Sequence, residues 1–412
     1  MNPSVRWLSF GTGVRVSGYA MVVTFFFLYL RNVYGLAYDE IGVLVALTGI
    51  LPLAILPAAG LLADRVGRRR LLILSLMAEA AALLLLALAV DLRWLVGLLI
   101  FVTLVQTVGA VGSPAIPAYI ADFAMGSERT MANTWVRIGG NLGFAVGVLV
   151  GGVLITAIGF VNVALFAGIL ILASAATLGI VLAPSPFEKG RTVAMLGATK
   201  RLSWMDSVVR SLRVLSRDRI FLLFCVAVAL VEITADQLVV IDPLYVNTVL
   251  SLPYTLVGAG LAINGVIVAV GQAPMTRIAI GHHHTKILAV GAVLYAVGFL
   301  LLGLPAVLGI GILAIFALST LVVTLGENLE AIPFTTLPSN LAPSPAEYGS
   351  YNGAFAALSG VGALLAPVIG GLVLVTFSSP IVVWGLLVLP TVPAILLLTY
   401  LTPRIPGRAN YA

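Results

Sequence analysis

The chain has 412 residues, 61% of them hydrophobic and 9% charged, with a mean hydropathy of +1.14. A soluble protein of this size needs far more polar residues to cover its core, so the composition excludes a water-soluble globular fold. The net charge of +6 does not point to a nucleic-acid partner, because the basic residues sit in the gaps on one side of a series of apolar runs.

Twelve apolar segments follow one another along the chain. Spans 1 to 6 lie at roughly 8–30, 39–61, 71–90, 94–121, 131–156 and 160–183. Spans 7 to 12 lie at roughly 219–245, 253–278, 286–304, 307–335, 350–376 and 380–402. Runs such as 71–90, 160–183, 287–304 and 381–401 reach the ~20 apolar residues that a helix needs to cross hydrocarbon. They are continuous and not alternating, which favours helices over a barrel. The first run contains Arg15 and lacks a small-x-small cleavage site, so it reads as a retained helix and not a signal peptide. Cys225 is the single cysteine, which leaves no internal disulfide.

Between spans 6 and 7 lies the one long polar stretch, 184–218, carrying Lys189, Arg191, Lys200, Arg201, Arg210, Arg213 and Arg217. It divides the chain into halves at 1–183 and 219–412. With the amino terminus inside, 18 of the 22 basic residues fall on the cytoplasmic side. Only Arg31 and Arg93 fall outside, while Arg15 and Arg137 lie within spans. That asymmetry places both termini in the cytoplasm. A shift of 219 residues carries Pro114 onto Pro333, Glu128 onto Glu347, Asn133 onto Asn352 and Gly143 onto Gly362. The same shift carries Gly151 and Gly152 onto Gly370 and Gly371. Matches at one offset argue for two homologous six-helix halves.

The gap between spans 2 and 3 reads GLLADRVGRRR from Gly60 to Arg70. Four arginines there are tolerable only in water on the cytoplasmic side. The pattern G-x-x-x-D-R-x-G-R resembles the signature loop of the major facilitator superfamily of transporters. The resemblance implies an all-α integral membrane protein of 12 transmembrane helices in two pseudo-symmetric halves, multi-pass in the plasma membrane of a prokaryotic cell. It also implies a conformational latch made by Gly60, Asp64, Arg65, Gly67, Arg68 and Asp122, in which the acid meets the positive end of a helix dipole. The matching loop of the second half keeps only Arg277 and Gly281–Lys286, GHHHTK. Its three consecutive histidines lack the spacing that converges on a metal, so it reads as a solvated cytoplasmic loop and no metal site is expected.

Span 5 reads GFAVGVLVGG, and Gly143, Gly147, Gly151 and Gly152 resemble the antiporter motif of drug-exporting members, with Val148 in place of a proline. Small residues at this spacing let a helix pack closely against a neighbour. Pro367 stands at the equivalent place in the other half. Around Gln106, span 4 lacks the arginine that exporters carry.

Charges within the spans are costly and mark a cavity or a partner. Away from the span ends the candidates are Arg15, Glu79, Arg137, Glu232, Asp236, Glu327 and Glu330. The acids of span 7 are spaced i, i+4 and those of span 10 i, i+3, so each pair shares a helix face. Spans 6, 9 and 12 hold no charge beyond Lys286 at the cytoplasmic end of span 9, in keeping with the family arrangement in which spans 1, 4, 7 and 10 line the cavity. Glu232, Asp236, Glu327 and Glu330 are candidates for proton coupling, since crowded carboxyls repel a second charge. The competing role is a static ion pair with Arg15 or Arg137. Arg15, Tyr19, Gln106, Arg137 and Asn141 are candidates for the substrate cavity, Arg137 and Asn141 equally for bracing. Asp242 reads as an outer gate or a solvated end, and Glu79 has no assigned role.

The sequence thus points to a secondary transporter that works by alternating access. The first reading is proton-coupled export of a small amphipathic or cationic solute, because acids outnumber arginines in the spans. The alternative is proton-linked or facilitated movement of a metabolite such as a sugar, peptide or lipid, and a receptor or scaffold with no transport activity is a third. No nucleotide-binding pattern or catalytic constellation is present, so no enzyme and no cofactor are expected. The expected partners are the small-molecule substrate, protons and the lipid bilayer, with no nucleic acid and a monomeric state.

Overall fold

The computed structural model describes residues 3–124, 126–184, 213, 216–304, 311–343 and 347–411. Most of the expected linker lies outside the described residues, as do the side chains of Gly60, Asp64 and Arg65 in the expected latch. Among the described residues no strand forms, and eleven helices are long and apolar enough to cross a membrane. One of them, Met131–Val181, has 51 residues. At 1.5 Å per residue it would reach about 77 Å, more than twice the hydrocarbon thickness. It is interrupted at Gly159, where φ is 81° and ψ is 162°, a backbone conformation open to glycine and few other residues. Spans 5 and 6 are the two arms of this element, which restores the count of twelve.

Several spans are built from broken helices. Span 4 runs as Leu95–Gly112 and Ala115–Phe123, divided at Pro114. Span 12 runs as Pro380–Val388 and Thr391–Leu401, divided at Pro390. Span 7 is Arg219–Ala235, a tight 3-10 turn at Asp236–Leu238, and Ile241–Thr248. An unbroken helix here would need the Pro243 N–H to bond the Val239 carbonyl, and proline has none. Span 10 extends past its expected end, as Ile312–Leu341, with Pro333 and Pro338 inside it.

The chain divides into two compact units: 1–26 with 48–204, and 27–47 with 205–412. In the first, span 3 packs on span 4 and on the long element of spans 5 and 6. Span 5 crosses span 1 along the glycines. A Cβ on Gly143 would strike the Gly13 carbonyl, one on Gly147 the Ser17 carbonyl, and one on Gly151 would lie 2.8 Å from the Met21 Cα. The second unit repeats the seam, since a Cβ on Gly362 of span 11 would strike the Ala229 carbonyl of span 7. In that unit span 10 packs on spans 8 and 9, and span 7 on spans 11 and 12.

The hairpin 27–47 belongs to the second unit through specific contacts. The Asn32 amide donates to the Tyr254 hydroxyl at 2.6 Å, and the Tyr38 hydroxyl to the Thr248 hydroxyl at 2.9 Å. A Cβ on Gly42 would strike the Pro367 carbonyl, and one on Gly371 the Tyr38 carbonyl. The hairpin is thereby fastened to spans 7, 8 and 11.

The loop Gly281–Lys286 departs from its reading as a solvated segment. His282 is exposed, but His284 and Thr285 are buried under the residues that follow span 12. The Thr285 N–H donates to the Asn410 side-chain oxygen at 3.1 Å, and the Asn410 amide donates to the Thr402 carbonyl at 3.2 Å. The Asn340 amide of span 10 donates to the Ala409 carbonyl at 3.2 Å, and the Tyr411 ring lies 4.3 Å from that of His283. Asn410 is fully buried, and Ile405 and Ala409 join a core cluster with Phe221, Leu288, Leu337 and Leu398. His283, at the cap position of the helix His284–Leu302, makes no side-chain cap bond. Asn410 supplies one from a distant part of the chain, to an N–H that the helix itself leaves unpaired. Asn410→Ala removes that acceptor and should cost about 1–2 kcal/mol, read as a lower thermal midpoint in detergent. An unchanged midpoint would remove the capping role.

Candidate functional site: the carboxyl cluster of spans 7 and 10

The break in span 7 ends one helix beside two acids. Asp236 caps the C-terminus of Arg219–Ala235, and its N–H bonds the carbonyls of Glu232 and Thr234. Glu232 lies one turn earlier on the same face. From span 10, Glu327 and Glu330 meet them. The groups acting electrostatically on Glu232 are Glu330, Asp236 and Glu327, all of them acids. Broken helices in membrane proteins line binding sites, because the backbone groups freed at the break need a polar environment.

Two polar side chains hold the span 10 acids. The Asn264 amide of span 8 donates to Glu327 Oε2 at 2.7 Å and to the Thr324 hydroxyl at 3.0 Å. The Tyr295 hydroxyl of span 9 donates to Glu330 Oε2 at 2.6 Å. Glu330 is 6% exposed, and its buried Oε1 receives no hydrogen bond from an amide or a hydroxyl. Glu232, Asp236 and Glu327 are half-buried. Neither Asn264 nor Tyr295 stands out in the sequence. Beyond Lys286 at its cytoplasmic end span 9 carries no formal charge and so reads as lipid-facing, yet Tyr295 is 2% exposed.

The other candidates fall in the first unit or elsewhere in the second. Arg15 pairs within its own unit, and not with the acids of spans 7 and 10. Its Nε donates to Glu79 Oε2 of span 3 at 2.6 Å, which gives Glu79 a partner. Tyr19 lies within electrostatic reach of the same pair. A Cβ on Gly109 of span 4 would strike the Arg15 guanidinium, so the small residue there makes room for it. The Gln106 amide donates to the Thr48 hydroxyl at 3.2 Å. On span 5 Arg137 is exposed and Asn141 is half-buried. In the expected latch, Arg68 meets Asp122 and donates to the Ala118 carbonyl at 2.7 Å. Gly67 turns the chain between spans 2 and 3 with a φ of 96°, a conformation that favours glycine. Asp242 is buried, not a solvated end, and among the described residues its Oδ1 has no hydrogen-bond partner.

Glu79→Gln leaves the Arg15 guanidinium without its counter-charge and should destabilise by about 3–5 kcal/mol. The double variant Arg15→Met, Glu79→Leu should recover most of that loss, because apolar replacement of both partners leaves no charge unpaired. Thermal unfolding of the three proteins in one detergent checks this. Equal losses in the single and double variants would contradict it.

Several solved structures share this architecture. A peptide transporter, POT, in complex with sulfate superposes with a TM-score of 0.77 at 17% identity, covering 99% of this chain and 96% of that one. A point mutant of the nucleoside transporter NupG gives 0.76 at 13% identity, covering 98% and 100%. A structure described as giving insight into substrate recognition in proton dependent oligopeptide transporters gives 0.76 at 15% identity, covering 98% and 99%. At such identities the likeness concerns the fold alone. No curated protein sequence matches this chain. The family pattern of the Major Facilitator Superfamily matches residues 8–346. With its twelve crossings, this chain is a multi-pass membrane transporter that belongs to the Major Facilitator Superfamily.

Proposed function

We propose that this protein is a proton-coupled secondary transporter that exports a small amphipathic or cationic solute in exchange for protons, through alternating access of its two halves. The observation that carries the reading is the convergence of Glu232, Asp236, Glu327 and Glu330 at the break in span 7. Arg15 and Glu79 already neutralise one another, so the acids left within the spans, the four of the cluster and the buried Asp242, outnumber Arg137. That surplus suits protons and a cationic or neutral cargo, and repels anions. Protonating a crowded carboxyl relieves the repulsion, so proton and cation compete for one set of groups. In this reading both termini lie in the cytoplasm, as the distribution of Lys and Arg supports.

The test uses tetraphenylphosphonium as a permanent cationic probe in proteoliposomes with an imposed pH gradient and clamped membrane potential. Exchange predicts that the probe accumulates in the more acidic compartment. A second reading is proton-linked uptake of a peptide or nucleoside, favoured by the peptide and nucleoside transporters whose fold this chain shares. It predicts instead that a dipeptide or uridine moves together with protons away from the acidic side. Flux that is indifferent to the pH gradient for every probe rejects both.

A further inference from the structure

The four carboxyls of the cluster are not equivalent. Glu327 is half-buried and its Oε2 is supplied with a donor by Asn264. Glu330 is enclosed, with Oε2 accepting from Tyr295 and Oε1 buried without an amide or hydroxyl donor. A carboxylate oxygen shut away from water without a hydrogen bond is costly. The smallest occupant that satisfies it is a proton bonded to that oxygen. The acids that act on Glu330 are Glu232 and Asp236 from span 7 and Glu327 from its own span, with the Tyr295 hydroxyl from span 9. Among the described residues no charged group of span 8 or span 11 acts on it. Glu232 in turn has Glu330 as its foremost charged neighbour, close enough for the two carboxyls to share a hydrogen bond once one of them is protonated.

We infer that Glu330 is the proton seat of the cluster, with the proton on Oε1 next to Glu232, and that Tyr295 is the positioning residue that selects this oxygen. By donating to Oε2, Tyr295 commits that oxygen as the acceptor and leaves Oε1 to take the proton. Proton binding forms one O–H bond on Glu330 and removes its negative charge. Transfer to Glu232 breaks that bond, restores the Glu330 carboxylate, and forms an O–H bond on Glu232, whose charge is removed instead. Asp236 and Glu327, more open than Glu330, are left to face a cationic cargo. This assignment rests on the proton-coupled reading for its use in transport, but not for its physical test.

The test is infrared difference spectroscopy of the full chain in lipid between acidic and alkaline pH, with no cargo added. The protein should show a carbonyl stretch from a buried protonated carboxyl. Glu330→Gln should abolish the band and Glu327→Gln should keep it. Tyr295→Phe should keep its intensity and move it to higher wavenumber, because the carbonyl loses its hydrogen bond. If Glu330→Gln does not fold, the Tyr295→Phe shift decides alone. A band lost in Glu327→Gln instead, or unmoved in Tyr295→Phe, would overturn the inference. A correct band pattern in a protein whose flux ignores the pH gradient would leave the seat standing and defeat the transport reading.

Discussion

Glu232→Gln and Glu330→Gln should each abolish uphill, pH-gradient-driven flux while leaving downhill exchange of labelled for unlabelled probe near the unaltered rate. Uphill movement needs a group that carries a proton in one conformation and releases it in the other. Exchange at constant protonation needs only the cavity and the rocking of the halves. Glutamine keeps the size of each side chain but fixes it in a neutral state, so neither variant opens a cavity. Glu232 sits one turn before the break in span 7, and Glu330 faces it from span 10. Losing either therefore removes one side of the shared proton. Asp236→Asn is expected to weaken probe binding more than coupling. Retention of full gradient-driven flux in both glutamine variants would remove these acids from the coupling mechanism.

Gly147→Val should prevent the protein from accumulating in the membrane as a stable monodisperse species. Its Cβ alone would strike the Ser17 carbonyl of span 1, and that atom belongs to a backbone that cannot rotate aside. Overpacking at a single site costs typically about 1–3 kcal/mol where side chains can give way. A helix backbone must translate as a whole, so the loss should lie at or beyond the upper end of that range. Gly140→Val on the same helix meets nothing within 4 Å and serves as the control, with an expected change within about 0.5 kcal/mol. Comparable yields and melting temperatures for the two variants would show that the seam is not tight.

Much of the fold is legible in the chain because hydrocarbon imposes a length and a polarity on every crossing. The segments at 8–30 and 71–90 need no partner to be recognised, and the motif from Gly60 to Arg70 announces the family. The glycines of span 5 are readable as a packing stripe, but their partner is not. Periodicity says which face is small, whereas Gly13, Ser17 and Met21 are identified only when span 1 is laid across it. Glu79 has no role in the sequence because its partner Arg15 is distant along the chain and is matched there with the acids of spans 7 and 10. Tyr295 escapes notice for a different reason. A tyrosine counts as apolar in a hydropathy reading, and its hydroxyl matters only because Glu330 lies beside it.

The loop Gly281–Lys286 shows the same limit at the edge of the bundle. Three histidines and a lysine look solvated by composition, yet the segment 405–411 folds back and covers His284 and Thr285. No pattern in that segment marks Asn410 as a cap, since the N–H it satisfies belongs to a helix far upstream. The break in span 7 lies between these cases. Pro243 signals that a helix must start anew, but not that the interruption falls among carboxyls from another span.

In the proposed exchange, solute and protons move through one mechanism in opposite directions. The most direct measurement is proton movement driven by solute alone, recorded with a pH-sensitive dye trapped inside proteoliposomes at equal starting pH. Linkage requires that if a proton gradient drives solute, a solute gradient drives protons. An outward tetraphenylphosphonium gradient, with the membrane potential clamped, should acidify the lumen in the unaltered protein and leave it unchanged in Glu330→Gln. A lumen that keeps its pH while the probe runs down its gradient would contradict the claim.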